Sequence, residues 1–351
     1  MSLERVRIVG AGLIGTSIAL GLVSKGVLVD LVDSDESTQR LARDLTHSCE
    51  LTSVQLVIFA LPTNALPMVI DREYALNPQS TFMDVGSVKT EPIVHVEKST
   101  MPLSRFVPTH PMAGREIGGA QSARGDLFIT RSWILTPTAE CDESALEHVR
   151  ELISLLGATA ITLNAGEHDR AVATASHLPQ ITSTLTAISL ELAEASWLEL
   201  AGQGLRDTTR IAASDPVLWS QIIFSNRDEI RRVLTALHGN TERMIQALDN
   251  PSAIEALMSA GARGRARIPG KHGGSAREYT FLPIVIDDKP GQLAAIFNEC
   301  ADIGVNVEDL SIEHSPGQLN ALITLALSEP DALNLAHHLS SIGWNVHPLR
   351  K

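Results

Sequence analysis

Long apolar runs are missing from this sequence, cysteine is sparse, and basic charge is in deficit. The longest apolar candidate, Leu56-Val57-Ile58-Phe59-Ala60-Leu61, falls far short of the roughly 20 residues a membrane helix needs. The N-terminus runs straight into a strand pattern with none of the features of a signal peptide. The 3 cysteines, Cys49, Cys141 and Cys300, stand far apart and without metal-ligand spacing. That points to reduced thiols in a cytoplasm, and to neither a disulfide framework nor a metal site. Lys and Arg total 28 against 41 Asp and Glu, a formal net charge of −13. Nucleic acid and anionic membranes attract a basic footprint, so neither is expected as partner, although a local arginine cluster can still hold a small anionic substrate. What is there is enough to fold: 351 residues, 44% hydrophobic, suffice for two or three domains, each with a core.

The first segment reads as strand, glycine turn, helix. Val6-Arg7-Ile8-Val9 is β-rich, Gly10-Ala11-Gly12-Leu13-Ile14-Gly15 is a G-x-G-x-x-G turn, and Thr16 to Ser24 carries apolar residues at helical spacing. In such a turn the first glycine permits the bend, the second lets a pyrophosphate approach the backbone, and the third lets helix and strand pack closely. The free N–H groups at the helix start then face the diphosphate. A second strand, Leu28 to Val32, ends in Asp33. An acid about 20 residues after the turn accepts from ribose hydroxyls and repels a 2′-phosphate, which favours NAD over NADP.

Further strands are expected at Gln55–Ala60, ending in Leu61-Pro62, and at Thr81–Val85, ending in Gly86-Ser87-Val88-Lys89. Phe106-Val107 follows, then the polar, turn-rich Thr109-His110-Pro111-Met112-Ala113-Gly114-Arg115-Glu116. Pro111 cannot extend a central strand and Gly114 frees the backbone, so His110 is expected on a loop at a strand end. That is the rim on which open α/β sheets bind ligands, and Ser87 belongs to the same rim. The sheet is expected to continue parallel and to close with Ser132–Thr136 and Thr159–Leu163, with a helix from about Glu143 to Leu156 between them.

After Gly166 the periodicity becomes helical throughout. Ile181, Leu185, Ile188 and Leu192 predict one buried face of a long helix from Glu167 to about Ser196, kinked at Pro179. Asp169, Ser176 and Gln180 share another face, beside His177. Gly202 to Ala212 holds an Arg206-Asp207-Thr208-Thr209-Arg210 cluster suited to gripping a carboxylate. Asp215 and Pro216 are placed as N-cap and first residue of the next helix. Helical pattern continues to about Ala260, with an interruption near Gly239-Asn240.

Taken together, these blocks resemble prephenate/arogenate dehydrogenase, a family of the tyrosine pathway, over roughly Val6 to Ala260. The blocks are the glycine turn, Asp84 to Lys89, His110 to Glu116, His168-Asp169, Ser176-His177-Leu178-Pro179, and Arg206 to Ala212 followed by Ser214-Asp215-Pro216 and Trp219. The resemblance implies NAD-dependent oxidative decarboxylation in which His110 takes the proton of a ring hydroxyl. It also implies that Ser87 holds that hydroxyl, that Arg210 binds a carboxylate, and that Ser176 lines the pocket. Asp207 would orient the arginine cluster, and Glu116 would sit at the cleft mouth. One departure concerns substrate choice. Many prephenate-using relatives carry histidine where this chain has Gln180, and an amide can serve a keto or an amino group, so prephenate and arogenate both stay open. Another NAD-dependent hydroxyacid dehydrogenase and a non-catalytic amino-acid sensor are the remaining alternatives.

The C-terminal part reads separately. Residues 261–278, with Arg263, Arg265, Arg267 and Lys271, are expected to be a linker. Then come strand Tyr279–Ile286, helix Pro290–Ile303 with Leu293, Ile296, Phe297 and Cys300 on one face, strand Val305–Glu313, and a turn at Ser315-Pro316-Gly317. Strand Leu319–Leu327, helix Pro330–Ser341 and strand Trp344–Pro348 complete a βαββαβ, ferredoxin-like unit. Asp288-Lys289-Pro290-Gly291-Gln292-Leu293 and Gly304-Val305-Asn306 resemble an ACT domain. That implies an amino-acid effector, tyrosine, at Asp288, Pro290, Gly291 and Asn306, and pairing across a homodimer interface. The expected architecture is thus a Rossmann-type α/β domain over 1–166, an all-α domain over 167–260, a linker over 261–278 and an α+β ferredoxin-like domain over 279–351.

Overall fold

Alternation along the strands builds the first sheet: Val6 and Ile8 turn to one apolar layer, and Val9 joins the other with Val57, Phe59, Phe82 and Phe106. The computed structural model describes residues 3–115, 117–268, 279–314 and 319–350. It divides into two compact units, Met1–Glu242 and Arg243–Lys351.

In the first unit the chain runs β1 (Arg5–Val9), α1 (Leu13–Val23), β2 (Leu28–Val32), α2 (Glu36–Thr46), β3 (Leu56–Phe59) and α3 (Leu66–Leu76). It continues through β4 (Thr81–Asp84), α4 (Thr90–Glu97), β5 (Phe106–Pro111), β6 (Ser132–Leu135), α5 (Glu143–Leu155) and β7 (Thr159–Thr162). The sheet order is β2-β1-β3-β4-β5-β6-β7. Val9 is paired with Val32 and Phe59, Phe59 with Asp84, and Asp84 with Pro108. This register aligns the carboxyl ends of the parallel strands, so the loops after β1, β3 and β4 leave from one rim. The sheet is not parallel throughout, as expected from sequence: β6 runs antiparallel to β5. Residues 112–131 contain only the short turn Ala120–Ser122 and no crossover helix, and a parallel return needs one. His110 is likewise in the ladder and not on a loop. β5 pairs His110 with Ile134 and ends with Pro111 opposite Trp133, a terminal position where the missing N–H costs little.

Helices follow: α6 (Ala165–Val172), a π-helical turn (Ala173–His177), α7 (Leu178–Ile188), α8 (Ala195–Leu198), α9 (Gln203–Thr209), α10 (Pro216–Ser225), α11 (Arg227–Ala247) and α12 (Pro251–Ala266). The expected long helix is therefore three pieces, with the break ahead of Pro179. Its apolar stripe is open in the single chain. Ile181 packs with Ala173, Ile230 and Val233, but Leu185, Ile188 and Leu192 are 50%, 52% and 92% exposed. Periodicity marks a sticky face without saying what covers it. The Asp215 carboxylate caps α10 through the N–H groups of Val217 and Leu218, with Pro216 at the first helical position. α11 runs unbroken through Gly239 and Asn240, an interior glycine being merely unfavourable in a helix. The break falls at Asn250, which caps α12. α12 extends to Ala266, so residues 261–266, expected in the linker, are helical. Lys271 and the rest of residues 269–278 lie outside the described residues. Among the described residues no helix is long and apolar enough to cross a membrane.

The second unit carries β8 (Thr280–Asp287), α13 (Gln292–Asp302), β9 (Asp309–His314), β10 (Asn320–Leu327), α14 (Glu329–Ser341) and β11 (Asn345–Val346). Its sheet, ordered β11-β8-β10-β9, is antiparallel throughout. Leu282, Ile284, Ile323 and Leu325 meet Ile296, Cys300, Leu335 and Leu339 in one core. Leu293 and Phe297 do not join it, although they share a sequence period with Ile296 and Cys300, and both are exposed. The turn expected at Ser315-Pro316-Gly317 lies outside the described residues.

Candidate active site

The cofactor half of the site is set by three glycines with different constraints. Gly10 has φ +109°, and a Cβ there would lie 2.2 Å from the Ala60 carbonyl oxygen. A Cβ on Gly15 would lie 2.0 Å from the Gly10 carbonyl oxygen. Neither position admits a side chain. Gly12 is the opposite case: its Cβ would meet nothing within 4 Å. Gly12 also opens α1 with no side-chain cap, so the helix start, followed by Leu13 and Ile14, offers backbone N–H groups to an anion. Asp33 stands beside the turn. Its carboxylate accepts from the N–H of Ala11 at 2.7 Å and of Asp35 at 2.9 Å. On the loop after β3, Leu61 is half-buried and Pro62 exposed.

The polar half lies at the ends of β4 and β5. Burial pushes the Asp84 carboxyl up and the Lys89 amine down, and their direct contact opposes both shifts. Lys89 Nζ also donates to the Thr109 carbonyl, and the Asp84 carboxylate accepts from the Gly86 N–H at 2.9 Å. The loop that carries half-buried Ser87 is thereby pinned to the strand that carries His110. Trp133 Nε1 donates to Thr109 Oγ1 at 2.9 Å, bracing β5 from β6.

From the helical side, α6 brings His168 and Asp169 onto this rim. His110 Nδ1 lies 2.9 Å from His168 Nε2, and His168 Nδ1 lies 2.8 Å from Asp169 Oδ1. Asp169 accepts from the N–H of Lys89 at 2.8 Å and of Thr90 at 2.9 Å, at the start of α4. Hydrogen bonds from His168, Thr90 and Lys89 hold its carboxyl below the usual range despite burial. His110 is pushed well below the ordinary histidine value, first by burial and then by Lys89, His168 and His177, with Asp169 opposing. It is therefore a neutral imidazole at pH 7, able to accept a proton.

The π-helical turn carries half-buried Ser176 and buried His177; such turns are frequent at functional sites. Burial lowers His177 to about 4. Asn226 Nδ2 donates to the Asp169 carbonyl at 2.8 Å and lies 3.2 Å from His177 Nδ1, and the His177 ring meets Trp219 edge-on.

Gln180 is buried, and its Nε2 donates to the Ile211 carbonyl at 2.8 Å. The amide expected to meet substrate instead holds the turn Arg210–Ala213 against α7. Arg210 begins that turn and is exposed. Asp207, expected to orient the arginines, accepts from Gln203 Nε2 at 2.7 Å, one helical turn earlier. Glu116 lies outside the described residues. Sequence reasoning noticed His168, Asp169 and Asn226 at most as motif letters and gave them no role. The His-Asp pair in the first turn of a helix was the available signal.

Two models of one family match in order along the chain: the prephenate dehydrogenase nucleotide-binding domain over residues 18–162 and the prephenate dehydrogenase dimerization domain over 164–259. The chain is 29% identical to the probable prephenate dehydrogenase NovF of Streptomyces niveus over 353 residues, covering 96% of this chain and 98% of that one. Arogenate dehydrogenase of Synechocystis is similar in structure, with a TM-score of 0.64 at 25% identity, over 75% of this chain and 99% of that chain. Prephenate dehydrogenase from A. aeolicus, solved in complex with hydroxyphenyl propionate and NAD+, shares the fold with a TM-score of 0.68 at 24% identity, over 76% of this chain and 98% of that chain. With both family domains present in sequence and the glycine turn and His110 on one rim, the chain belongs to the prephenate dehydrogenase family.

Proposed function

We propose that the chain catalyses the NAD-dependent oxidative decarboxylation of prephenate to 4-hydroxyphenylpyruvate, with His110 as general base. The observation that carries this is a neutral, buried imidazole at the end of β5, on the rim the glycine turn also faces. The turn fits a dinucleotide: open space at Gly12, an uncapped helix start, and Asp33 where a ribose would lie. Gly10 to Gly15, Asp33, Leu61 and Pro62 would hold NAD, and the acidic run Asp33-Ser34-Asp35-Glu36 disfavours the 2′-phosphate of NADP. Bound NAD supplies the hydride acceptor.

Ser87 and His110 hold the 4-hydroxyl, and His110 takes its proton as C4 is oxidised. Cleavage of the ring–carboxylate bond then releases CO₂, its electron pair aromatises the ring, and His110 returns the proton to the phenolate oxygen. Arg210 binds a substrate carboxylate and Ser176 lines the pocket. Gln180 serves by fixing the Arg210 turn, Asp207 braces its helix through Gln203, and Glu116 belongs to the cleft mouth. A chain with no histidine at position 180 lacks one cation for the pyruvyl carboxylate, which favours measurable turnover of arogenate as a second substrate.

The exposed stripe Leu185, Ile188 and Leu192, within the segment that matches a dimerization domain, supports a homodimer. The βαββαβ order of the second unit, with Gly291 at φ +91° ahead of α13, supports an ACT-like, ferredoxin-type regulatory domain. There Asp288, Pro290, Gly291 and Asn306 would take tyrosine, and the setting is the cytoplasm. Initial rates of NADH formation at 340 nm test this, with prephenate and then arogenate, each with and without tyrosine. His110→Asn should lower kcat by about 10²–10⁴-fold with the fold and NAD affinity kept. Near-normal kcat in that variant would refute the base.

A further inference from the structure

From the rim geometry we infer that His168 and Asp169 are positioning residues that fix the tautomer of His110, leaving Nε2 unprotonated toward the substrate. This rests on His110 being the base and adds what keeps it one.

Proton bookkeeping along the chain of contacts leads there. Asp169 Oδ1 lies 2.8 Å from the Lys89 nitrogen and 2.8 Å from His168 Nδ1, and Oδ2 lies 2.9 Å from the Thr90 nitrogen. Both backbone nitrogens can only donate, so the carboxylate is an acceptor, and His168 must present Nδ1–H to it. Buried beside this carboxylate, a neutral His168 has its lone pair on Nε2. That atom lies 2.9 Å from His110 Nδ1, so His110 must be the donor in that contact. A neutral imidazole with its proton on Nδ1 has its free lone pair on Nε2. The carboxylate thus dictates, through an intervening imidazole, which nitrogen of His110 is basic. The same logic joins aspartate to histidine in serine-protease triads, where the wrong tautomer disables the base.

His177 does not compete for this contact. Asn226 Nδ2, a donor, faces its Nδ1 at 3.2 Å, and the ring packs on Trp219. The charged and titratable groups around His110 are Lys89 from the loop after β4, His168 and Asp169 from α6, and His177 from the π-helical turn. Lys89 is engaged with Asp84 and the Thr109 carbonyl.

Asp169→Asn tests the inference by reversing the chain. The carboxamide oxygen of the substituted side chain can still accept from Lys89 and Thr90, while its amide N–H faces His168 Nδ1. His168 then protonates on Nε2 and donates to His110, whose own proton is left on Nε2. Side-chain ¹⁵N NMR of histidine-labelled enzyme, assigned with His110→Asn, should show His110 protonated on Nδ1 in the wild type and on Nε2 in Asp169→Asn. In steady-state assays with prephenate and NAD, kcat should fall by about 10²–10⁴-fold in Asp169→Asn and His168→Leu, with KM within a few-fold. His168→Gln should retain kcat within about tenfold, because one amide can accept from His110 and donate to Asp169. A merely structural role would not order the variants this way.

A wild-type His110 protonated on Nε2 overturns the inference even if every variant unfolds. So do wild-type kcat values in Asp169→Asn and His168→Leu where His110→Asn is inactive. Full activity in His110→Asn would instead remove the general base itself, leaving the tautomer to be read by NMR.

Discussion

At the ends of β4 and β5 the side chains withdrawn from solvent include Asp84, Lys89, His168, Asp169 and His177, whereas the C-terminal sheet withdraws Leu282, Ile284, Ile323, Leu325 and Leu335. Among the described residues of the second core, Thr280 is a polar exception at a strand start, and the ion pairs lie outward. Glu299 and His338 meet at 2.7 Å with 28% of each side chain exposed. Burying charge costs several kcal/mol per ion unless partners are supplied, and burying leucine is favourable by about 1.5–3 kcal/mol. A chain that builds an apolar core in one unit and an ionic one in the other has placed the costly groups where chemistry needs them. Any ligand of the C-terminal unit must be read by its exposed loops and strand edges.

The largest effect that would sharpen this contrast is expected from Lys89→Met. It leaves Asp84 buried without its cation and should cost about 3–5 kcal/mol, read by urea unfolding of the first unit. A loss under about 1 kcal/mol would mean the rim is not electrostatically built. Next comes pH. His177 titrates near 4 in the folded chain, below its unfolded value near 6.5, so between these values the unfolded state binds more protons. Stability should be lost as pH falls from about 6.5 to about 4, by up to about 3 kcal/mol. His177→Gln should flatten that part of the curve, and an unchanged slope would place the acid sensitivity elsewhere. The smallest effect is expected from His338→Gln. Breaking a half-exposed pair should shift stability by about 0.2–1 kcal/mol, and a loss above about 2 kcal/mol would break the comparison by making the second unit depend on charge as well.

Much of the scaffold was legible because its rules are local. The glycine turn announces itself through positions where a Cβ has no room, and Asp215-Pro216 through cap chemistry that acts within three residues. Strand positions in both sheets follow from β-rich runs between turn residues. The direction of β6 was not legible from its own residues; the missing crossover helix before it was the clue. The apolar stripe on α7 was read correctly as apolar but assigned to the interior, since period reports a face and not its partner. Least visible was the partner of His110. His168 lies 58 residues away in sequence, and no spacing rule connects a strand end to the first turn of a distant helix. Gln180 was chosen for its chemistry, yet in the fold its amide is spent on the Ile211 carbonyl.

The π-helical turn at Ala173–His177 sets the angular phase of the helical segment. An α-helix advances about 100° per residue, and a π turn accommodates one residue more than the α-helical repeat. His168 and Asp169 therefore face the rim on one side of the turn, while Gln180 still reaches the Ile211 carbonyl on the other. Deleting a single residue from this turn would restore a regular helix, rotate everything after it by about a quarter revolution, and uncouple the base from the arm that bears Arg210. The length of the chain here behaves as a clutch between two halves of a site, and its tolerance to insertion or deletion should be nil even where substitutions are accepted.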